Sequence, residues 1–168
     1  MMRLLAWTLV VALWWAPQAP SAPAVATRVA VPQPGPKDLC PVCGMIVSKY
    51  PHWTATVVWT DGRVQHFDGA KDMFTFLRAL PQFAPGRQMK DLRIVAVTEF
   101  YDLQTIEARQ AYFVIGSDVL GPMGHEFVPF AARSDAEAFL KDHHGLRVLR
   151  FDDVTTEVIG RVDAGRSW

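Results

Sequence analysis

The chain has few cysteines, no excess of either charge and no long hydrophobic run beyond its first residues. Its 168 residues include 17 basic and 17 acidic side chains, so the formal net charge is zero. These charges are interspersed, and a neutral chain without a polybasic run has no general field that attracts nucleic acid or anionic membranes. The sequence also lacks Gly-x-Ser-x-Gly, His-Glu-x-x-His and a phosphate-binding glycine loop, and we therefore predict that the protein is not an enzyme.

Residues 1–26 are predicted to be a secretory signal peptide. Arg3 supplies the positive start, Leu4 to Trp15 form an apolar run, and Ala24-Val25-Ala26 matches a cleavage site. The run is short for crossing a hydrocarbon core of about 30 Å. We therefore expect export to the periplasm. No cysteine lies at the end of the apolar run, so no lipid anchor is predicted.

The remaining chain is predicted to contain a linker, a folded domain and a short tail. Residues 27–37 include three prolines and are expected to form an extended linker without sheet character. The folded domain covers residues 38–160, either as one unit or as two halves near 38–105 and 106–160. Residues 161–168 are expected to form the tail.

The hydrophobic pattern predicts an α+β fold of mostly antiparallel strands with two helices. Strands are expected at 53–59, 63–67, 92–100, 110–115, 126–130, 147–151 and 154–159, and helices at 69–80 and from Ser134 to His143 or His144. Ser134 is expected to cap the second helix, with Glu137 at the capping-box position. A strand–strand–helix–strand unit thus occurs twice, and the sequence leaves open whether the halves share one sheet.

The only two cysteines, Cys40 and Cys43, lie in a Cys-x-x-Cys motif that Met45 follows closely. Thiolate and thioether sulfurs are soft ligands, which favour Cu(I), or zinc where four ligands can be gathered. Pro41 and Gly44 favour a tight turn that would direct both sulfurs to one side. From these residues alone the cysteines could be metal ligands, a redox pair or a structural disulfide.

A second candidate is the loop Gly121-Pro122-Met123-Gly124-His125. Met123 could be a thioether ligand, or it could fold back onto the core, where methionine is usually found. His125 could complete a metal site or lie at a solvated strand edge.

Four further polar residues are assigned no ligand role. Asp68 and Asp72 lie at the start of the first predicted helix, where carboxylates often cap the chain. His52 and His66 flank the first predicted hairpin and are expected to be surface residues.

Three motifs in order resemble those of the NosL family, the copper chaperones of nitrous oxide reductase assembly. They are Asp-x-Cys-x-x-Cys-Gly-Met at 38–45, Phe-Asp-Gly-Ala-Lys-Asp-Met-Phe at 67–74, and the stretch 111–124, and the likeness spans about 37–158. The resemblance implies a Cu(I) carrier that supplies nitrous oxide reductase or its membrane-bound maturation complex. It favours Met123 as a ligand beside the Cys–Met motif. Many members of the family are lipoproteins, and this chain departs from them in its leader.

Two alternatives remain open at this point. Cys-Pro-Val-Cys-Gly-Met is also similar to the start of YHS-type metal-binding modules, but those carry a later cysteine that this chain lacks. The other alternative is a periplasmic thiol–disulfide oxidoreductase, which a lowered pKa of Cys40 or Cys43 would favour.

Overall fold

A computed structural model describes residues 25–165 of the chain. Within that range there are seven strands and four α-helices: β1 (Ala55–Trp59), β2 (Val64–Phe67), α1 (Ala70–Arg78), α2 (Leu80–Phe83), β3 (Leu92–Thr98), β4 (Thr105–Glu107), β5 (Tyr112–Ile115), β6 (Val128–Phe130), α3 (Arg133–Asp142), β7 (Arg147–Arg150) and α4 (Thr156–Asp163). The predicted signal peptide, apart from its last two residues, lies outside the described residues, as does the end of the predicted tail from residue 166. Between residues 25 and 165, no helix is both long and apolar enough to cross a membrane.

The strands form two separate antiparallel sheets. The first has the order β2-β1-β3-β4 and the second has the order β6-β5-β7. In each half the chain forms two strands, then a helical segment and then a third strand. The first of these strands lies between the other two in the sheet. The predicted α+β class is therefore confirmed, and the strand–strand–helix–strand unit occurs twice with a sheet for each half.

Helix α1 packs between the two halves. Phe74 on this helix is fully buried, and its ring lies 5.0 to 5.2 Å from the rings of Phe113, Phe127 and Phe151 in the second half. The neighbouring Phe76 packs on Phe67 of the first sheet. Through these two aromatic side chains α1 packs against both halves of the fold.

The predicted closing strand at 154–159 is wrong, because residues 156–163 form α4. Thr155 begins this helix, since its side-chain oxygen accepts a hydrogen bond from the Val158 N–H at 3.3 Å. Ile159 and Val162 are then buried on one face at a spacing of three residues. The helix also takes up the first three residues of the predicted tail, and with α2 it brings the number of helices above the two predicted.

The expected cap of α3 is also wrong. The helix begins one residue before Ser134, the N-cap residue is Ala132, and no side chain caps it. Glu137 instead pairs with Arg133 at 2.7 Å, one helical turn away on an exposed face. Glu137 therefore forms an i, i+4 ion pair within the helix and takes no part in a capping box.

The predicted linker has sheet character at its start, contrary to expectation. Arg28 pairs with Ile106, the Val29 N–H donates to the carbonyl of Thr105 at 3.0 Å, and the Glu107 N–H donates to the carbonyl of Thr27 at 2.9 Å. Strand β4 is an edge strand with free backbone groups, and the prolines that prevent pairing begin only at Pro32. The chain is therefore attached to the first sheet well before the cysteine motif.

Candidate metal centre

The cysteine motif forms a closed turn ahead of the first sheet. The Cys40 N–H donates to the carbonyl of Met45 at 2.8 Å, and the Gly44 N–H donates to the carbonyl of Cys40 at 2.9 Å. Gly44 has φ of 78°, a conformation that glycine adopts without steric cost. The two thiols are free in the structure. The turn directs both of them toward the start of α1, which agrees with the prediction that both sulfurs lie on one side of the turn.

Each thiol meets a carboxylate from the beginning of α1. Cys40 Sγ donates to Asp72 Oδ2 at 3.1 Å, and Cys43 Sγ donates to Asp68 Oδ1 at 3.2 Å. One potential ligand atom from each of these four residues lies within 4.8 Å of all the others. The site thus combines two soft sulfur donors with two hard oxygen donors, and it has the dimensions of a metal centre.

The carboxylates at this helix start are not the caps that the sequence predicted. The N-cap residue of α1 is Gly69, and no side chain of the cap residue bonds to the helix. Asp68 lies just before the N-cap residue and Asp72 lies in the first turn of the helix, and both carboxylates reach the thiols. Their spacing, set against the Cys-x-x-Cys motif, is the feature of the sequence that could have identified them.

Burial controls the protonation of this centre. Cys40, Asp68 and Asp72 are buried and Cys43 is half-buried. Burial, with a smaller contribution from Asp72, raises the pKa of Cys40 to about 12. Burial and the hydrogen bonds to both carboxylates also raise the pKa of Cys43, and burial raises the pKa of Asp72. Without a cation, both sulfurs therefore carry protons at neutral pH.

The other three predicted site residues lie on two segments. Met45 is half-buried and closes the cysteine turn through its carbonyl. Met123 is 47% exposed and lies at the tip of a turn in which Gly121 and Gly124 pair through both backbone hydrogen bonds. His125 follows this turn, half-buried beside Gly165. We name residues 121–126 the methionine turn.

The methionine turn lies against the start of α1. Lys71 Nζ donates to the carbonyl of Met123 at 3.1 Å, and Lys71 is the residue that precedes Asp72. The structure thereby brings Met123 close to the helix end that carries both carboxylates.

Two buried polar residues at this contact were missed by the sequence reasoning. Glu126 Oε1 accepts hydrogen bonds from the N–H groups of Lys71, at 2.5 Å, and Phe127, at 2.8 Å. Burial raises the pKa of Glu126 to about 8. Lys71, with only 4% of its side chain exposed, also binds Asp163. The Lys71–Glu126 contact joins residues 55 positions apart, so no local pattern could predict it.

One predicted surface histidine is in fact internal. His66 is 7% exposed, and its Nδ1 lies 2.9 Å from the Thr56 hydroxyl of the neighbouring strand. The pairing of β1 with β2 places these two residues directly opposite each other. His52 is exposed, as predicted.

Comparison with known proteins gives consistent matches. The NosL family model matches residues 31–159. The copper-binding lipoprotein NosL of Stutzerimonas stutzeri is 30% identical over 118 residues, which are 70% of this chain and 62% of that relative. The chain therefore spans less than two thirds of the length of that relative. The crystal structure of the copper chaperone NosL from Shewanella denitrificans matches with a TM-score of 0.64 and 27% identity, over 76% of this chain and 97% of that one.

Proposed function

Because this chain belongs to the NosL family, we propose that it binds Cu(I) at the Cys40–Cys43 turn and passes the ion to another protein. The observation that carries this proposal is the cluster of two thiols and two carboxylates with donor atoms within 4.8 Å. Sulfur donors select a soft ion, and Cu(I) is the soft ion that two thiolates can hold at low coordination number. The names of both relatives, a copper-binding lipoprotein and a copper chaperone, support copper as the cargo.

Binding of the ion requires the sulfurs to lose their protons. Each S–H already donates to a carboxylate, so Asp72 and Asp68 lie where they can relay the two protons toward water as two Cu–S bonds form. The N-terminus of α1 then faces the added negative charge of the thiolates, which the helix dipole favours. Cu⁺ and two thiols thus give a dithiolate complex and two protons.

Met45, Met123 and His125 are proposed to complete the coordination. A thioether binds Cu(I) without losing a proton and does not form disulfides, which suits an oxidising compartment. Met45 belongs to the cysteine turn, and the methionine turn lies on the helix start beside Asp72. An exposed side chain such as that of Met123 can approach the ion and withdraw from it without unpacking the core.

Transfer is proposed to proceed by ligand exchange. Cys43 is half-buried, whereas Pro41 and Gly44 beside it are exposed. A sulfur or imidazole from a partner can therefore bind the ion from the Cys43 side before the bond between copper and the buried Cys40 breaks. The centre would then release copper while the fold stays intact.

The proposed destination is nitrous oxide reductase or its membrane-bound maturation complex, reached in the periplasm. Membership in the family and the predicted signal peptide support this destination. The relative from Stutzerimonas stutzeri is a lipoprotein, and a lipoprotein is an exported protein.

The site does not favour a thiol–disulfide oxidoreductase. Such an enzyme needs a stabilised thiolate, because the thiolate is the nucleophile. Here burial raises the pKa of both Cys40 and Cys43, and each sulfur donates its proton to a carboxylate. The protonated thiols can exchange their protons for a metal ion, but they are weak nucleophiles toward a disulfide.

Native mass spectrometry of the exported protein tests the proposal, with free thiols counted on the same sample. We expect one copper ion per chain and two thiols that alkylate only after copper is removed. Metal-free protein that takes up no Cu(I), with Cys40 and Cys43 joined in a disulfide, would contradict the proposal.

Variants then test the thioether ligands. Met123→Ala is expected to weaken Cu(I) binding about 10-fold or more while leaving the thermal melt unchanged, because the side chain is exposed. Met89→Ala is the matched control, since Met89 is also exposed, at 37%, and lies in another part of the chain. Equal affinities of the two variants in a competition titration with a Cu(I) chelator would remove Met123 from the ligand set.

A further inference from the structure

Lys71 is a buried cation, and burial of its ammonium group costs desolvation free energy. It lies between Asp68 and Asp72 in sequence, yet only 4% of its side chain is exposed. Its Nζ donates to the Met123 carbonyl at 3.1 Å and to Asp163 Oδ1 at 2.9 Å. Burying an ammonium group is unfavourable unless it is paired, so its two partners hold a fixed position relative to the helix.

The methionine turn contacts Lys71 a second time. Glu126 Oε1 accepts from the Lys71 N–H at 2.5 Å, and Met123 lies three residues earlier on the same turn. The contact is close-fitting, because a Cβ added to Gly69 would lie only 2.2 Å from Glu126 Oε2. Lys71 therefore holds the methionine turn at two points, since its side chain binds Met123 before His125 and its main chain binds Glu126 after it.

The end of α4 supports the same arrangement from the other side. Asp163, the last residue of α4, is 70% exposed and completes the ion pair with Lys71. Gly165, two residues later, lies against His125, since a Cβ placed there would be 2.8 Å from His125 Cδ2. The carboxyl end of α4 thus touches both the lysine and the histidine of this junction.

We propose that Lys71 is a positioning residue for copper binding, which holds the methionine turn where the Met123 sulfur can reach an ion at the cysteine pair. This inference rests on the proposed function, because it gives Lys71 no contact with copper of its own. The lysine side chain ties the carbonyl of Met123 to the same helix turn that carries Asp72, and it therefore helps to set the distance between the two ligand segments. Asp163 keeps the ammonium group in place.

A double-mutant cycle tests this role. Lys71→Leu keeps an apolar side chain, removes the ammonium group and adds no sulfur that could bind copper, and we expect it to weaken Cu(I) binding about 10- to 100-fold, as loss of a group that orients a ligand does. In a Met123→Ala background the same substitution should change affinity by less than about twofold, the scatter expected when no interaction remains. Lys141→Leu, at an exposed position of α3, is the control for the change in charge.

The outcomes separate positioning from a general electrostatic effect. If Lys71→Leu weakens binding equally in both backgrounds, the lysine acts by its charge and the inference is overturned, while the proposed function stands. No effect of Lys71→Leu in the wild-type background also overturns it. If Met123→Ala itself leaves affinity unchanged, the thioether ligand and the inference fail together, and copper bound by the cysteines still identifies the carrier.

A second variant guards against misfolding. Asp163→Asn removes the charge of the exposed partner of Lys71 and keeps an oxygen that can accept from Nζ, so thermal melts should show an intact fold. We expect a smaller loss of affinity than for Lys71→Leu, and again none beyond that of Met123→Ala in the double variant. An additive loss in this pair would contradict the positioning role even if Lys71→Leu does not fold.

Discussion

Copper binding should compete with protons, and pH is the perturbation that shows it. In the metal-free centre both sulfurs are protonated, because burial raises the pKa of Cys40 to about 12 and also raises that of Cys43. The ion binds thiolates, so each thiol that becomes a ligand releases one proton. Raising the pH removes the competing protons, and the affinity for Cu(I) therefore increases.

The expected magnitude follows from the number of thiols and their pKa values. Each proton released makes the affinity rise about 10-fold per pH unit, so two thiols give about 100-fold per unit. For a thiol with the ordinary pKa of 9.0, the affinity would approach a plateau near pH 9. Because the pKa of Cys40 is about 12, its contribution to the slope stays constant well beyond that pH. At pH 7 Cys40 must lose its proton before it can bind the ion, so the affinity measured there is well below that of a preformed thiolate.

A competition titration measures this slope directly. Cu(I) affinity is determined between pH 6 and pH 9, at intervals of about half a unit, against a chelator whose own affinity is constant over that range. The wild type should release two protons per copper ion, and Cys43→Ser should release one and bind more weakly. A slope of zero in the wild type would refute thiolate ligation and leave only thioether and imidazole ligands.

Two further predictions concern the junction beneath the site. Gly69→Ala should destabilise the protein by about 1–3 kcal/mol in urea melts, because its Cβ would displace Glu126, whereas Gly160→Ala in α4, with open space around it, should be neutral or stabilising. Burial raises the pKa of Glu126 to about 8 from 4.5, so the metal-free fold holds a proton that the unfolded chain releases as pH rises. This contribution is complete below pH 4.5 and falls by about 1.4 kcal/mol per pH unit up to about pH 8. Urea melts at both ends of the range should show a smaller loss for Glu126→Gln than for the wild type, and equal losses would contradict the buried acid.

Local patterns were enough to predict the cysteine turn and six of the seven strands in residues 25–165, but β4 was not predicted and α4 occupies most of the strand expected at 154–159. Alternation of apolar residues placed β1, β2 and β3 within a few residues of their observed bounds, because each strand has a buried face. Pro41 and Gly44 likewise indicated the turn that directs both thiols to α1. Each of these features is decided by residues that are neighbours in the chain.

The carboxylate half of the site differs from what the sequence predicts. Asp68 and Asp72 at a helix start fit a cap as well as they fit a ligand pair, and only the approach of the cysteine turn decides between the two. For α4, the pattern of Val154, Val158 and Ile159 suits a short strand. The choice of a helix depends on Val162, which lies beyond the segment that the prediction covered.

The contacts of Lys71 and Glu126 could not be predicted from the sequence. They join residues 52 to 92 positions apart, and their existence depends on α1 packing between the two halves. A lone lysine or glutamate in a sequence indicates a solvated surface, since such residues are rarely buried without a partner. Their partners become visible only once the fold has brought them together.

The central claim is that the cysteine pair holds the copper ion, and anomalous diffraction from crystals of the Cu(I)-loaded protein tests it most directly. Data collected on both sides of the copper absorption edge locate the ion without reference to any assumed ligand. We predict a single copper peak bonded to Sγ of Cys40 and Sγ of Cys43, beside Asp68 and Asp72. A disulfide between Cys40 and Cys43, with the copper peak elsewhere in the chain, would contradict the account.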